Sequence, residues 1–186
     1  MKRLVISLFM CLLFASDMVN AQETQSGWAN GWKYAFSKEG MKEWKPEFTL
    51  RESGGFFTGR WMVTGGVRVD EKRSFALYLG QGNQWLDHVP AHVHSIRTGV
   101  SFRRYWHLGS RKIFAFYNDL SFGMGWVYKI SGPSENIDRV RAKVGDILFE
   151  GLWQPGFRVR FYKNIHIFFG PLLATDCIGV HWGIGF

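Results

Sequence analysis

Three groups of residues in this 186-residue chain have the types and spacing to do chemistry. The first is a histidine cluster, His88, His92 and His94, in the run Asp87-His88-Val-Pro-Ala-His92-Val-His94. Imidazoles at that density beside a carboxylate form a donor set suited to zinc or copper. Their spacing matches no established metal site, and Pro90 argues against a helix that would place His88 and His92 on one face. Solvated loop histidines are the simpler reading, so no metal or cofactor is expected. The second group is Asp176, Cys177 and His181. Nucleophilic catalysis needs a thiol or hydroxyl in reach of a base that a third group holds. Cys177 also fits as a small interior residue whose face is set by strand alternation, and no catalytic residue is assigned. The third group is arginine at alternating positions: Arg60, Arg68, Arg97, Arg103, Arg158 and Arg160, with Glu150 and Asp119 as acidic partners. Charges held away from water must be paired and hydrogen-bonded. That predicts an ion-pair plug, with an anion-conducting path as the alternative that the excess of arginine favours.

The elements that must position these groups are strands. In the last ten residues Ile178, Val180, Trp182, Ile184 and Phe186 alternate with Cys177, Gly179, His181, Gly183 and Gly185. A period of two puts every large apolar side chain on one face and leaves the other almost bare. The same alternation predicts eight strands, at 47–53, 56–69, 74–80, 94–105, 113–128, 147–162, 165–173 and 177–186. In the second, Phe57, Trp61, Val63, Val67 and Val69 oppose Thr58, Arg60, Thr64 and Arg68. In the fifth, Asn118 falls on the Phe114, Phe116 and Leu120 face, which predicts a bulge there. Three motifs, Val67-Arg68-Val69, Phe102-Arg103-Arg104 and Val159-Arg160-Phe161, each precede a short polar turn. Short turns alternate with longer connections near 81–93 and 129–146, as in a barrel that crosses a membrane. Tyr105, Trp106 and Tyr162 lie beside the short turns, with Trp126, Tyr128 and Trp153 toward the other ends. They are expected to form two aromatic girdles. Arg104 faces lipid by alternation and is expected to snorkel to the interface.

The N-terminus reads as a signal peptide over residues 1–21. Lys2 and Arg3 precede an apolar run from Leu4 to Ala15, and Val19-Asn20-Ala21 offers a cleavage site. That run is too short to span a bilayer as a helix. Cys11 lies inside it without the small residues that precede a lipid-accepting cysteine. Cleavage would lower the formal charge from +8 to +7 and leave Cys177 alone, unable to form an internal disulfide. Residues 22–45 form a Trp-rich periplasmic or interfacial segment. Trp28, Trp32, Phe36 and Trp44 recur at helical spacing and predict an amphipathic helix, although Gly31 and Gly40 weaken it. The 28–36 stretch alternatively supplies a ninth strand or replaces the first. Residues 46–186 are expected to form one all-β domain, an eight-stranded antiparallel up-and-down transmembrane barrel.

The signal peptide, the eight alternating segments and the terminal strand from Cys177 to Phe186 together resemble the small outer-membrane β-barrel family of Gram-negative bacteria. The resemblance implies outer-membrane localisation and insertion by the barrel-assembly machinery, with Trp182, Ile184 and Phe186 as the C-terminal assembly signal. It implies contact with outer-membrane lipids including lipopolysaccharide, and no single activity, since such barrels serve as anchors, adhesins or enzymes. A structural or surface-interaction role without catalysis is expected. The alternative is a lipid-modifying enzyme, an acyltransferase or deacylase acting on lipopolysaccharide. One acyltransferase family of this kind begins with an amphipathic helix, but Gly183 stands where barrel deacylases carry serine two residues after histidine. The basic residues alternate with apolar ones and form no stripe, so nucleic acid is not an expected partner. A monomer is expected. A secreted ligand-carrying barrel would turn its apolar face inward, opposite to this pattern.

Overall fold

The computed structural model describes residues 33–55, 58–85, 91–138, 140 and 142–186. The expected signal peptide, Trp28, Trp32, Phe57 and His88 lie outside these residues. Alternation of large outward and polar inward side chains builds one sheet. Its strands are β1 (Lys45–Gly55), β2 (Thr58–Arg68), β3 (Arg73–Trp85), β4 (His92–Leu108), β5 (Phe114–Ser131), β6 (Ile147–Tyr162), β7 (Ile165–Ala174) and β8 (Ile178–Gly185). They pair antiparallel in chain order and close into an eight-stranded up-and-down barrel. Closure runs from Thr49 opposite Gly185 to Gly55 opposite Gly179. Phe186 extends it by exchanging backbone hydrogen bonds of 2.8 and 3.2 Å with Phe48.

Short turns join β2 to β3, β4 to β5 and β6 to β7, at the end of the barrel where β1 starts and β8 stops. In the first of them Asp70 accepts from Lys72 N at 2.7 Å and Arg73 Nε at 2.6 Å, which holds the turn. The connection between β5 and β6 carries a single helical turn, Ser134–Ile137, and folds back on the barrel. Val140 and Ala142 from it pack on Ala91, Val93 and Val127, forming an apolar cap at the long-loop end of the lumen.

Two expectations are corrected. Asn118 causes no bulge, because Tyr117 and Asp119 on either side of it are wholly buried and pairing runs unbroken through Arg104 and Pro155. The register of β5 shifts instead opposite His94 and Ser95, where Tyr128 is the extra residue. Tyr105 is no girdle residue: it is wholly buried in the lumen, where its hydroxyl donates to Glu47.

Residues 33–43 belong to a separate unit. Residues 33–35 are helical, and a second short helix follows at Lys38–Lys42. The continuous helix expected to run through Phe36 to Trp44 is therefore broken. Ser37 adopts an extended backbone and caps the second helix, its Oγ accepting from Gly40 N at 3.1 Å. Gly40 lies so close to the Tyr34 carbonyl that a Cβ there would sit 2.1 Å from the oxygen.

Candidate functional site

The inward positions form layers along the barrel axis. An eight-stranded barrel leaves an interior just wide enough for side chains to fill. At the short-turn end lie Glu47, Arg68, Arg103, Tyr105, Arg158 and His166. Next come Arg51, Asp119, Gln154, Tyr117 and His181. An apolar layer of Met62, Tyr78, Leu152 and Leu172 follows. Beyond it sit Arg60, Arg97, Glu150 and Asp176 beneath the cap.

The long-loop cluster balances its charge. Glu150 Oε1 accepts from Arg60 Nη1 at 2.6 Å and from Arg97, and its Oε2 accepts from Tyr78 Oη at 2.9 Å. Asp176 takes Arg60 Nη2 at 2.5 Å and Arg97 Nη2 at 3.3 Å. Burial pushes the Asp176 carboxyl up, but the two guanidiniums outweigh it and hold it below its ordinary range. Tyr78 reaches Glu150 because glycine lets it cross the sheet. A Cβ at Gly123 would stand 2.3 Å from Tyr78 Oη, and one at Gly99 2.7 Å from its ring. Large side chains opposite small ones fill a narrow barrel in this way.

The short-turn cluster is built on two carboxylates. Asp119 accepts Arg51 Nη1 at 2.6 Å, Arg103 Nε and Nη2 at 2.9 and 2.8 Å, and the Ser101 hydroxyl at 2.6 Å. Glu47 accepts Arg68 Nε at 3.0 Å and Nη2 at 2.9 Å, together with Arg103 and Tyr105. Phe168 separates the cations, with the Arg51 and Arg103 guanidinium carbons 5.0 and 5.1 Å from its ring centre.

Of the arginines singled out in the sequence, Arg60, Arg97, Arg103 and Arg158 are buried and Arg68 is half-buried at the mouth. Arg160 is not in the lumen. A register shift between Arg160 and Tyr162 ends the alternation, and the exposed Arg160 side chain donates to the Arg111 carbonyl at 2.7 Å. Glu150 and Asp119 sit at the centres of the two clusters. Sequence reasoning missed Arg51, Glu47 and Asp176 as cluster members. The first two carried a signal, since Glu47, Thr49, Arg51 and Ser53 alternate with Phe48 and Leu50.

The remaining candidates do not converge. Cys177 and His181 are two inward steps apart on one strand path, about 13 Å at 3.3 Å per residue. Cys177 Sγ lies 3.6 Å from Arg60 Nη2, and His181 Nε2 faces the Tyr117 hydroxyl. Burial pushes the Cys177 thiol up, away from the thiolate a nucleophile requires. His92 and His94 have ring centres 6.3 Å apart, and His94 Nε2 is bonded to Ser131 Oγ at 2.7 Å. No group of three or more metal-ligating side chains forms among the described residues. The terminal Trp182 and Phe186 are exposed on the outer wall, with Ile184 beside them. No protein-family model matches this chain, and no curated protein matches it.

Proposed function

We propose that this chain is an exported outer-membrane barrel of the Gram-negative type with a structural or surface-interaction role and no catalysis. One observation carries the reading: the distribution of polarity is inside out. Leu77, Phe149, Ile178 and Trp182 are 68, 83, 73 and 55% exposed, while Asp119 and Arg51 are 0 and 1% exposed. Such apolar side chains stand on the outward faces of all eight strands. The largest apolar patch on a water-soluble monomer is only about 300–600 Å². Strands β1 and β2, of 11 residues each, have the length that crosses a bilayer when tilted. Aromatic Trp106, Trp126 and Tyr162 lie on the outer wall toward the strand ends, where ring and polar atom suit an interface.

The lumen supports a closed barrel and not a carrier or pore. Carriers enclose an apolar cavity, whereas here ion pairs occupy it. A cleft of about 30 Å³ beside Gln84, Arg97, Glu150 and Asp176 has room for a water or two. Closure by β1 and β8 leaves no sheet edge for self-pairing, which favours a monomer. Outer-membrane lipids, including lipopolysaccharide, would contact the wall, and the barrel-assembly machinery would insert it by the terminal Trp182, Ile184 and Phe186.

The test places a charge in mid-wall. Val100 is 54% exposed and lies between Leu77 and Phe122 on the neighbouring strands. Val100→Arg should cost about 2–4 kcal/mol of stability in lipid vesicles, read by urea titration with heat-modifiable gel migration. A neutral effect, or a protein that stays dissolved without detergent, would end this reading.

A further inference from the structure

Positive charge exceeds negative charge in the short-turn half of the lumen, and the surplus is localised. Four arginines, Arg51, Arg68, Arg103 and Arg158, meet two carboxylates there, Glu47 and Asp119. Both carboxylates are fully engaged. Each Glu47 oxygen accepts two hydrogen bonds, from Arg103 and Tyr105 on one side and from both edge nitrogens of Arg68 on the other. Asp119 Oδ1 takes the Ser101 and Ser121 hydroxyls, and Oδ2 takes Arg51 and Arg103.

Arg158 is left over. It is 3% exposed, no carboxylate among the described residues pairs with it, and its Nε and Nη1 make no hydrogen bond. What holds it is Tyr105, a hydrogen-bonding neighbour whose ring centre lies 4.5 Å from its guanidinium carbon, while Arg68 stands 5.2 Å from the same ring. Arg68 commits Nε and Nη2 to Glu47, and its side chain is 21% exposed, which marks a route from solvent. His166 is 5% exposed with Nδ1 unbonded, and it pairs across the sheet with Arg160, one inward step from the Arg158–Phe168 pair. A buried guanidinium without a counter-charge is among the least favourable arrangements a protein interior can hold.

We propose that Arg158, Arg68 and His166 form an anion site at the short-turn mouth, suited by charge and donor groups to a small oxyanion of the phosphate class. The charge arithmetic favours phosphate over chloride. Two surplus positive charges are neutralised by one hydrogen-phosphate dianion, and arginine N–H groups donate well to phosphate oxygens. The phosphate is either free in solution or carried on a lipid headgroup that reaches the mouth. The site stands on the geometry of the lumen and is independent of where the barrel resides.

The experiment titrates inorganic phosphate by calorimetry into the protein folded in uncharged detergent, with chloride at matched ionic strength. Wild type should give a saturable one-site phosphate isotherm that chloride does not reproduce. Arg158→Met should weaken it about tenfold or more, the loss of one charge-assisted contact. Lys112→Gln, in the exposed turn where it pairs with Glu71, should leave it unchanged. If Arg158→Met fails to give the compact gel form, His166→Gln serves instead, with about threefold weakening expected. A parallel arm replaces phosphate by phosphatidylglycerol against phosphatidylcholine in mixed micelles. Heat in that arm alone, lost in the variant, assigns the site to a headgroup. Phosphate binding equal to chloride, equal in wild type and the variants, or absent from both arms overturns the proposal.

Discussion

Replacing Asp119 by Asn removes one charge from the centre of the lumen while keeping its shape. Asp119 is wholly buried and accepts from Arg51, Arg103, Ser101 and Ser121. After the substitution Arg103 retains Glu47, whereas Arg51 loses its only carboxylate and is left with neutral partners: the Asn oxygen, Gln154 Oε1 at 3.1 Å and the faces of Tyr117 and Phe168. Breaking one partner of a buried ion pair costs about 3–5 kcal/mol, because the remaining charge stays desolvated. Most of that cost belongs to the abandoned Arg51. Adding Arg51→Met should therefore recover at least about 1 kcal/mol, a coupling expected of groups in direct contact. Urea unfolding in detergent, followed by tryptophan fluorescence and gel migration, measures all three proteins. As a control, Glu71→Gln unpairs the exposed Lys112 and should leave the unfolding midpoint unchanged. A loss below about 1 kcal/mol for Asp119→Asn would refute the reasoning, since only pairs bathed in water are worth so little. The lumen would then be a wet passage and not a plug.

Further outcomes follow from the same packing. Gly123→Ala places a methyl group 2.1 Å from the Thr98 carbonyl oxygen and 2.3 Å from the Tyr78 hydroxyl. It should cost about 1–3 kcal/mol in urea titration as the sheet and Tyr78 shift. Asp176 is held below its unfolded value of 3.8, so its stabilising contribution is complete above that value and is lost as acid takes the pH through the lower folded value. Asp176→Asn should flatten the acid limb of a stability–pH profile, and an unchanged limb would show that Asp176 carries none of it. Deleting Phe186 removes both backbone bonds to Phe48 at the closing seam, so the yield of compact, heat-modifiable protein in refolding should fall.

The sequence by itself determined which face of each strand meets the core. The alternation of Trp61, Val63 and Val67 with Arg60, Thr64 and Arg68 is a consequence of covalent geometry, because successive side chains of any strand point oppositely. The eight strands and their up-and-down order were legible for the same reason, helped by short turns such as Asp70 to Lys72. The polar run Glu47, Thr49, Arg51 and Ser53 holds the same information for β1. Tertiary structure alone decided which charges meet. Arg51 reaches Asp119 across 68 residues, and Arg60 reaches Asp176 across 116. Those distances close only when β1 pairs with β8 and the stagger of the sheet sets which inward layer faces which. Local departures also belonged to the fold: the shift beside Tyr162 put Arg160 on the rim, and the one opposite Ser95 moved the bulge to Tyr128. Periodicity is a property of one strand, whereas pairing across a lumen is a property of the closed ring, and that is why the first could be read along the chain and the second could not.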